Sequence, residues 1–419
     1  MRPMKWSKKA GIALAVLAAS GLLGLDLIGC VKPGTNTAAV GHGTYPGEEF
    51  DRLTERFQAR LDQLRNEAGF PGATAAFILA DGRSACVATG YADKENRTPM
   101  KPDTRMPAGS IGKTFTAAVA ISLVHEGKLN LDDKIETWLG KEDWFGRLPN
   151  GKDITLRMLL NHSSGLRDHV FEENFREAIH ERLNKPDPDL DFVFSPRELV
   201  AFVLNTEPLF AAGKAWKYTD TGYILVGMII ERQSGSTYYA LLKNRFLRPL
   251  KLRLTVPADR RDIPGVCPGY LDPEKSFGLP AKTVVDGMMV FHPGSEWTGG
   301  GLVSNPQDLV RWAKVLYEGK AMKKPYLGEL LEGVPCNLST TSRYGLGVII
   351  DERPLGTTYG HSGWFPGWRT HLAYFPEHKI AVAVQVNTDI NQSAGRHADA
   401  LAEVVLAGSR TRPCNTVAD

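Results

Sequence analysis

Two β-hairpin patterns stand at opposite ends of this 419-residue chain, and the long stretch between them must fold back if they are to share a sheet. Ala73–Ala80 and Ser84–Tyr91 are apolar, β-prone runs on either side of Asp81-Gly82, a dipeptide suited to a tight hairpin turn. Thr370–Phe375 and Ile380–Asn387 repeat the pattern across Pro376-Glu377-His378-Lys379. Helical patterns flank the pair. Glu48–Ala68 carries Phe50, Leu53, Phe57, Leu61 and Leu64 on one stripe, and Ala394–Leu406 reads as another helix. The middle is mostly helical in its periodicity, so the sheet draws strands from both ends of the chain. Phe171–Pro196 opens as a charged surface helix and passes through the loop Asn184-Lys185-Pro186-Asp187-Pro188-Asp189, read as a solvated face ahead of the alternative, a wall of the cleft.

The length suits one large domain with an accessory lobe. The formal charge of +3 overstates how basic the folded part is, because Arg2, Lys5, Lys8 and Lys9 precede an apolar run, Ala10 to Leu25. That pattern is a secretory signal. Without residues 1–29, which also hold Asp26, the chain has 46 basic and 46 acidic residues. A neutral protein gives no electrostatic ground for a nucleic-acid partner. Leu27-Ile28-Gly29-Cys30 reads as a bacterial lipoprotein cleavage box that would lipidate Cys30. The alternative is an uncleaved span from Ala10 to Gly29, just long enough to cross a bilayer. Either way the folded part lies outside the cytoplasm, and Val31 in place of an aspartate points to outer-membrane sorting if the cell is Gram-negative. The organisation is then a signal peptide (1–29), a lipidated cysteine and Gly/Thr/Pro-rich tether (30–47), one large folded domain (48–408) and a polar tail (409–419). Cys86, Cys267, Cys336 and Cys414 allow three disulfide pairings, and the sequence does not choose among them. None has the spacing of a zinc site, and no metal or cofactor is expected.

The chemistry is concentrated at Ser110-Ile111-Gly112-Lys113. A serine hydroxyl is a weak nucleophile until a base takes its proton. A lysine three residues on stands one turn above it on the same helix face. Lys113 to His125 carries Phe115, Ala118, Val119, Ser122 and Leu123 at helical spacing and stops at Gly127, which puts Ser110 at a helix N-terminus. Gly112-Lys113-Thr114 ends like a phosphate loop, but Pro107 stands where that motif needs glycine.

Further segments follow in order: Leu159-Leu160-Asn161-His162-Ser163-Ser164-Gly165-Leu166, Trp216-Lys217-Tyr218-Thr219-Asp220-Thr221-Gly222-Tyr223, Gly299-Gly300-Gly301-Leu302-Val303-Ser304, Tyr344-Gly345-Leu346-Gly347 and Gly360-His361-Ser362-Gly363-Trp364-Phe365-Pro366-Gly367. With Ser110 and Lys113, from about Phe70 to about Ala407, the chain resembles the serine β-lactamase-like family, the class C β-lactamases with their DD-peptidase and esterase relatives. The resemblance implies an α+β fold of the β-lactamase/transpeptidase type: an antiparallel sheet flanked by terminal helices, a mainly helical lobe, and the active site between them. It also implies that Ser110 attacks a carbonyl to form an acyl-enzyme, that Lys113 helps take the proton, and that Tyr218 relays it to the leaving group. Which of Lys113 and Tyr218 is the base stays open at this point. The same carry-over assigns the backbone N–H groups of Ser110 and Trp364 to an oxyanion hole, with Gly363 allowing close approach to the substrate.

Two positions depart from the β-lactamase pattern. His361 stands where most β-lactamases have lysine, as in the DD-peptidase, D-aminopeptidase and esterase branches, and a partly charged histidine would hold a substrate carboxylate less firmly. Asp220 stands where asparagine is common; it keeps an acceptor, loses a donor and favours a protonated Lys113. Trp297, Trp364, Phe365 and Trp368 gather aromatic surface near the later motifs, and Arg369 is a candidate carboxylate receptor. The resulting expectation is a lipid-anchored serine hydrolase taking a small-molecule or peptide substrate with an ester, amide or lactam carbonyl. Esterase or D-amino-acid peptidase activity leads, class C-type β-lactamase activity comes second, and a non-catalytic wall-binding protein is the alternative of another kind.

Overall fold

The computed structural model describes residues 47–183, 185–272 and 278–409. The signal segment, Cys30 with its tether to residue 46, and the tail from residue 410 with Cys414 lie outside the described residues. The amphipathic stripe at the start folds as helix α1 (Gly47–Ala68), burying Leu53, Phe57, Leu61 and Leu64. It leads into strands β1 (Gly72–Ile78) and β2 (Ser84–Asp93), paired antiparallel with Ile78 opposite Ser84. The short β3 (Thr98–Pro99) adds one edge. The remaining sheet strands all come from the last quarter of the chain. They are β4 (Val334–Pro335), β5 (Arg343–Tyr344), β6 (Ile349–Arg353), β7 (Gly356–Phe365), β8 (Trp368–Phe375) and β9 (Ile380–Val386).

The sheet order is β3-β2-β1-β9-β8-β7-β6-β5-β4, and every pairing is antiparallel. First and last strands pair inside the sheet, with Ala75 opposite Val384 and Phe77 opposite Val382. Strand β9 is buried on both faces, so it reads as a continuous apolar run. Val382, Val384 and Val386 pack towards α1 and the last helix, α6 (Ala394–Ser409), while Ala381 and Ala383 face the opposite core. The small alanines on that face let α5 (Pro306–Tyr317) lie close against it.

Among the described residues no strand lies between Pro107 and Val256, which matches the helical middle. At the heart of this lobe is α2 (Gly112–His125), buried from Gly112 to Leu123 because its apolar and small residues go all round. Phe115 stacks on Trp312 of α5 with ring centres 4.1 Å apart, tying the lobe to the sheet. On the lobe's surface, α3 (Glu173–Leu183) buries Phe175 against Phe194 and Phe202 and presents its charges outward, as its pattern predicts. Cys86, Cys267 and Cys336 are free thiols.

Candidate active site

Ser110 lies in a single 3-10 turn, Gly109–Ile111, that runs into α2. The N–H groups at such an entry have no acceptor in the preceding turn and point towards the cleft. One helical turn on, the Lys113 side chain is completely buried, and its Nζ donates to Ser110 Oγ at 3.2 Å. The same ammonium donates to the Gly299 carbonyl and pairs with Asp220 Oδ1. Two of the ammonium donors go to Ser110 Oγ and the Gly299 carbonyl, and Asp220 Oδ1 lies beside the nitrogen as an ion-pair partner. The arrangement orients Lys113 at the serine.

Asp220 and Tyr218 are delivered by the entry to helix α4 (Asp220–Ser234). Lys113 Nζ sits over the Tyr218 ring at 5.0 Å and over the Tyr223 ring at 5.2 Å. The Tyr218 phenol faces Ser110 without completing a hydrogen bond, and its buried oxygen has no other partner among the described residues. Burial and the Asp220 carboxylate push its pKa well above the ordinary phenol value, so it is a neutral phenol. His162 props the ring from behind, centroids 4.2 Å apart, and accepts a hydrogen bond from the Thr219 backbone at 3.3 Å. Burial and nearby Lys113 hold His162 neutral.

His361 sits on β7, where it differs from the expected partly charged carboxylate receptor. It is 2% exposed, and burial, with Lys113 nearby, pushes its pKa down to about 3. Its Nδ1 lies 2.6 Å from the Ser362 carbonyl and its Nε2 2.8 Å from the Tyr344 hydroxyl. A neutral ring satisfies both: Nδ1–H donates to the carbonyl, and Nε2 accepts from the phenol. Both nitrogens are committed within the protein, so this histidine braces β7 against β5.

Gly363 is required by geometry. A Cβ there would stand 2.0 Å from the Ala108 carbonyl oxygen and 2.1 Å from Thr370 Oγ1. What this glycine admits is the backbone of the serine segment: Thr370 Oγ1 donates to Ala108 at 2.8 Å, and the Trp364 backbone nitrogen comes within 2.7 Å of where a Gly109 Cβ would be. Strand β7 and the Ser110 turn are thus in backbone contact, the approach an oxyanion hole needs. Trp364 is half-buried and its indole donates to Asp389 at 3.0 Å. Phe365 and Trp368 belong instead to a buried cluster with Met106 and Ile263, and Arg369 is mostly buried, its guanidinium 5.9 Å from the Trp364 ring.

Two acidic neighbours, Asp168 and Glu296, were not singled out as site groups by sequence reasoning. Asp168 is buried, and its Oδ1 accepts from the Val170 backbone at 3.2 Å. Burial and the Asp220 charge push its carboxyl well above the usual range. Glu296 closes a 3-10 turn, Pro293–Glu296, on the other side of Gly299. Burial and Asp220 push its carboxyl up to about 7. Trp297, next to it, adopts φ 35° and ψ −114°, a strained backbone for a bulky residue, and its indole fills the space left by Gly227, where a Cβ would come within 2.6 Å of it. No periodicity or spacing ties residues 168 and 296 to residue 110; Glu296 is betrayed only by its place three residues before the quoted Gly299-Gly300-Gly301 run. Among the described residues no group of three or more His, Cys, Asp or Glu is arranged to hold a metal ion.

Comparison with known proteins places this geometry in context. A family model described as Beta-lactamase matches residues 51–406. Penicillin-binding protein 4* of Bacillus subtilis (strain 168) is 28% identical over 302 residues, covering 69% of this chain and 62% of that protein. A D-aminopeptidase of Brucella anthropi is 25% identical over 338 residues, covering 80% of this chain and 59% of its own length. The chain thus spans about three fifths of the length of these curated relatives. Among solved structures, a D-stereospecific amidohydrolase from Streptomyces sp. superposes with a TM-score of 0.70 at 27% identity, over 84% of this chain and 99% of that one.

Proposed function

The chain belongs to the Beta-lactamase family, and from that premise we propose that it is a serine hydrolase working through an acyl-enzyme on Ser110, with D-amino-acid amides, short peptides or esters as its substrates. The observation that carries this reading is the hydrogen bond from the buried Lys113 to Ser110 Oγ, beside a Tyr218 phenol whose oxygen has no hydrogen-bond partner among the described residues.

Lys113, ion-paired with Asp220, orients Ser110; the phenol moves the proton. As Ser110 Oγ bonds to the carbonyl carbon, its proton passes to Tyr218 Oη while the phenol proton passes to the leaving nitrogen or oxygen. No phenolate has to stand alone, which suits a phenol whose pKa is raised. The Ser110 and Trp364 backbone N–H groups receive the charge that develops on the carbonyl oxygen. Water then enters by the reverse relay, releasing the acid and restoring Ser110. With Asp220 in place of an amide donor and His361 neutral, the cleft is poorly furnished for the acylamino carbonyl and carboxylate of a β-lactam. The relatives' names support D-amino-acid chemistry. We also place the enzyme outside the cytoplasm on a lipid at Cys30, a reading supported by Leu27-Ile28-Gly29-Cys30.

The test is turnover of a D-amino-acid amide, a short-chain aryl ester and a chromogenic cephalosporin by the protein and by Ser110→Ala. Ser110-dependent turnover of the amide or ester above the cephalosporin is expected. No turnover of any of the three, with no labelling by a serine-directed phosphonate, would reject the hydrolase reading in favour of a binding protein.

A further inference from the structure

We propose that the groove between the π-helical turn Lys243–Leu247 and the loop that follows it to Ile263 binds an anionic chain of phosphate groups. The site is separate from the Ser110 cleft and does not depend on the hydrolase reading.

Its charge is out of balance with the rest of the chain. Residues 30–419 hold 46 basic and 46 acidic residues, yet residues 243–261 hold seven basic ones and a single acid, Asp259. Two of the seven serve as internal struts. Arg245 donates to Ser122 Oγ at 2.8 Å and pairs with Glu126, and Arg261 donates to the Met289 carbonyl at 2.7 Å and pairs with Asp191. The other five, Lys243, Arg248, Lys251, Arg253 and Arg260, are exposed and line one groove of about 610 Å³. Against the carboxylate of Asp259 they leave it a net charge of +4. Arg248 donates to Asn244 at 3.0 Å, and Arg260 lies 3.6 Å from Asp262. The side chains of Lys243, Lys251 and Arg253 make no hydrogen bond or ion pair among the described residues. Like charges gathered in one concavity repel each other, and a bound anion relieves that repulsion.

The fold holds this groove in shape. On one side the helix Tyr238–Leu242 widens into the five-residue π-helical turn, a form that recurs at functional sites. A few residues on, Lys251 has φ 56°, a left-handed backbone that lysine rarely adopts. On the other side the Asp308 carboxylate accepts from the Leu254 backbone at 2.7 Å and from Thr255 Oγ1 at 3.1 Å. Val256 and Pro257 then pair with Val303 and Leu302, and Arg105 donates to the Pro264 carbonyl at 3.0 Å. The cations therefore stand on a frame that an arriving anion does not have to order.

Three of the five are arginines, whose planar forks bind phosphate through paired hydrogen bonds. The net charge matches an anion with several charges close together, which a chain of phosphates supplies. No aromatic side chain lines this groove, so it offers no stacking surface for bases. Being concave, it admits a chain along its length, whereas a flat lipid surface would meet only its rim.

The test uses the full-length protein in about 0.15 M salt, where charges more than about 8 Å apart are largely screened. Inorganic tripolyphosphate, orthophosphate and citrate are titrated by calorimetry. Tripolyphosphate is expected to bind about tenfold or more tightly than either of the others, since it engages more of the charged donors at once. Lys243→Gln with Arg248→Gln removes two of those donors and should weaken it by about tenfold or more. Lys251→Gln with Arg253→Gln should do the same, so either pair decides the matter if the other does not fold. Lys141→Gln with Lys152→Gln, an equal charge change at exposed positions outside the groove, should leave binding nearly unchanged. No measurable tripolyphosphate binding, equally tight citrate binding, or equal weakening by all three pairs would each overturn the proposal. Displacement of tripolyphosphate by phosphatidylglycerol vesicles would also overturn it, in favour of a membrane. Tighter binding of a short oligothymidylate would overturn it in favour of nucleic acid.

Discussion

Tyr218→Phe separates a relay from a structural prop, because the two roles predict opposite changes. The Tyr218 oxygen is buried, faces Ser110 and completes no hydrogen bond among the described residues. A buried hydroxyl left without a partner costs about 1–3 kcal/mol, so phenylalanine, which keeps the ring against His162, should recover part of that. For a protein of this size the gain is about 1–4 °C in Tm. Activity should move the other way. Removing a positioned proton carrier lowers the acylation rate by about 10²- to 10⁴-fold. The assay pairs thermal melting with single-turnover acylation by an aryl ester, in the wild type and the variant. A variant within tenfold of wild-type acylation would refute the relay. A Tm lowered by several degrees would mean that the hydroxyl is structurally paired and that the site stores no such instability.

Gly363→Ala should be severe: its Cβ would sit 2.0 Å from the Ala108 oxygen, so β7 must retreat by about 1 Å from the serine turn, a displacement that costs about 10²-fold in rate; wild-type kcat/KM in the variant would reject the close-approach argument. Asp220→Asn keeps an acceptor for Lys113 and adds a donor, so cephalosporin hydrolysis should rise while stability falls by about 1–3 kcal/mol from the lost counter-charge; no rise in cephalosporin rate sinks the explanation. Acid should destabilise the fold through buried neutral histidines. Burial depresses the folded pKa of His361 to about 3 and of His169 to about 4, and lowers those of His162 and His371, so their contribution is complete above about pH 6.5 and is lost as pH falls towards the folded values. Each should add about 1.4 kcal/mol per pH unit to the slope, and His361→Gln, neutral throughout, should flatten melting curves taken between pH 6.5 and 4.

The hairpins and the serine helix were legible because their signals are local. Asp81-Gly82 sits between two apolar, β-prone runs, and Phe115, Val119 and Leu123 repeat at helical spacing, so a short window of sequence contains the whole argument. His361 was visible as a residue but not as a neutral one. Its state is decided by burial and by nearby Lys113, and both are consequences of how β7 lies in the sheet. The same limit hid Glu296 and Asp168, which reach Asp220 only through the packing of separate loops. The aromatic group divided for a similar reason. Phe365 and Trp368 went into the core and Trp364 stayed at the cleft, because strand alternation and the turn at Gly367, with φ 91°, decide which way each points.

The meeting of β1 with β9 governs when this protein can become active. Gly72 bonds to Asn387 across 315 residues, and β1 lies between β2 and β9 inside the sheet. Contacts so distant along the chain make for slow, high-contact-order folding. A growing chain can form the α2 lobe and still lack the sheet on which β7 presents Gly363 to the serine turn. The proposed nucleophile is encoded early and armed late, so the chain carries its own delay: the proposed activity waits until nearly all of it has been made.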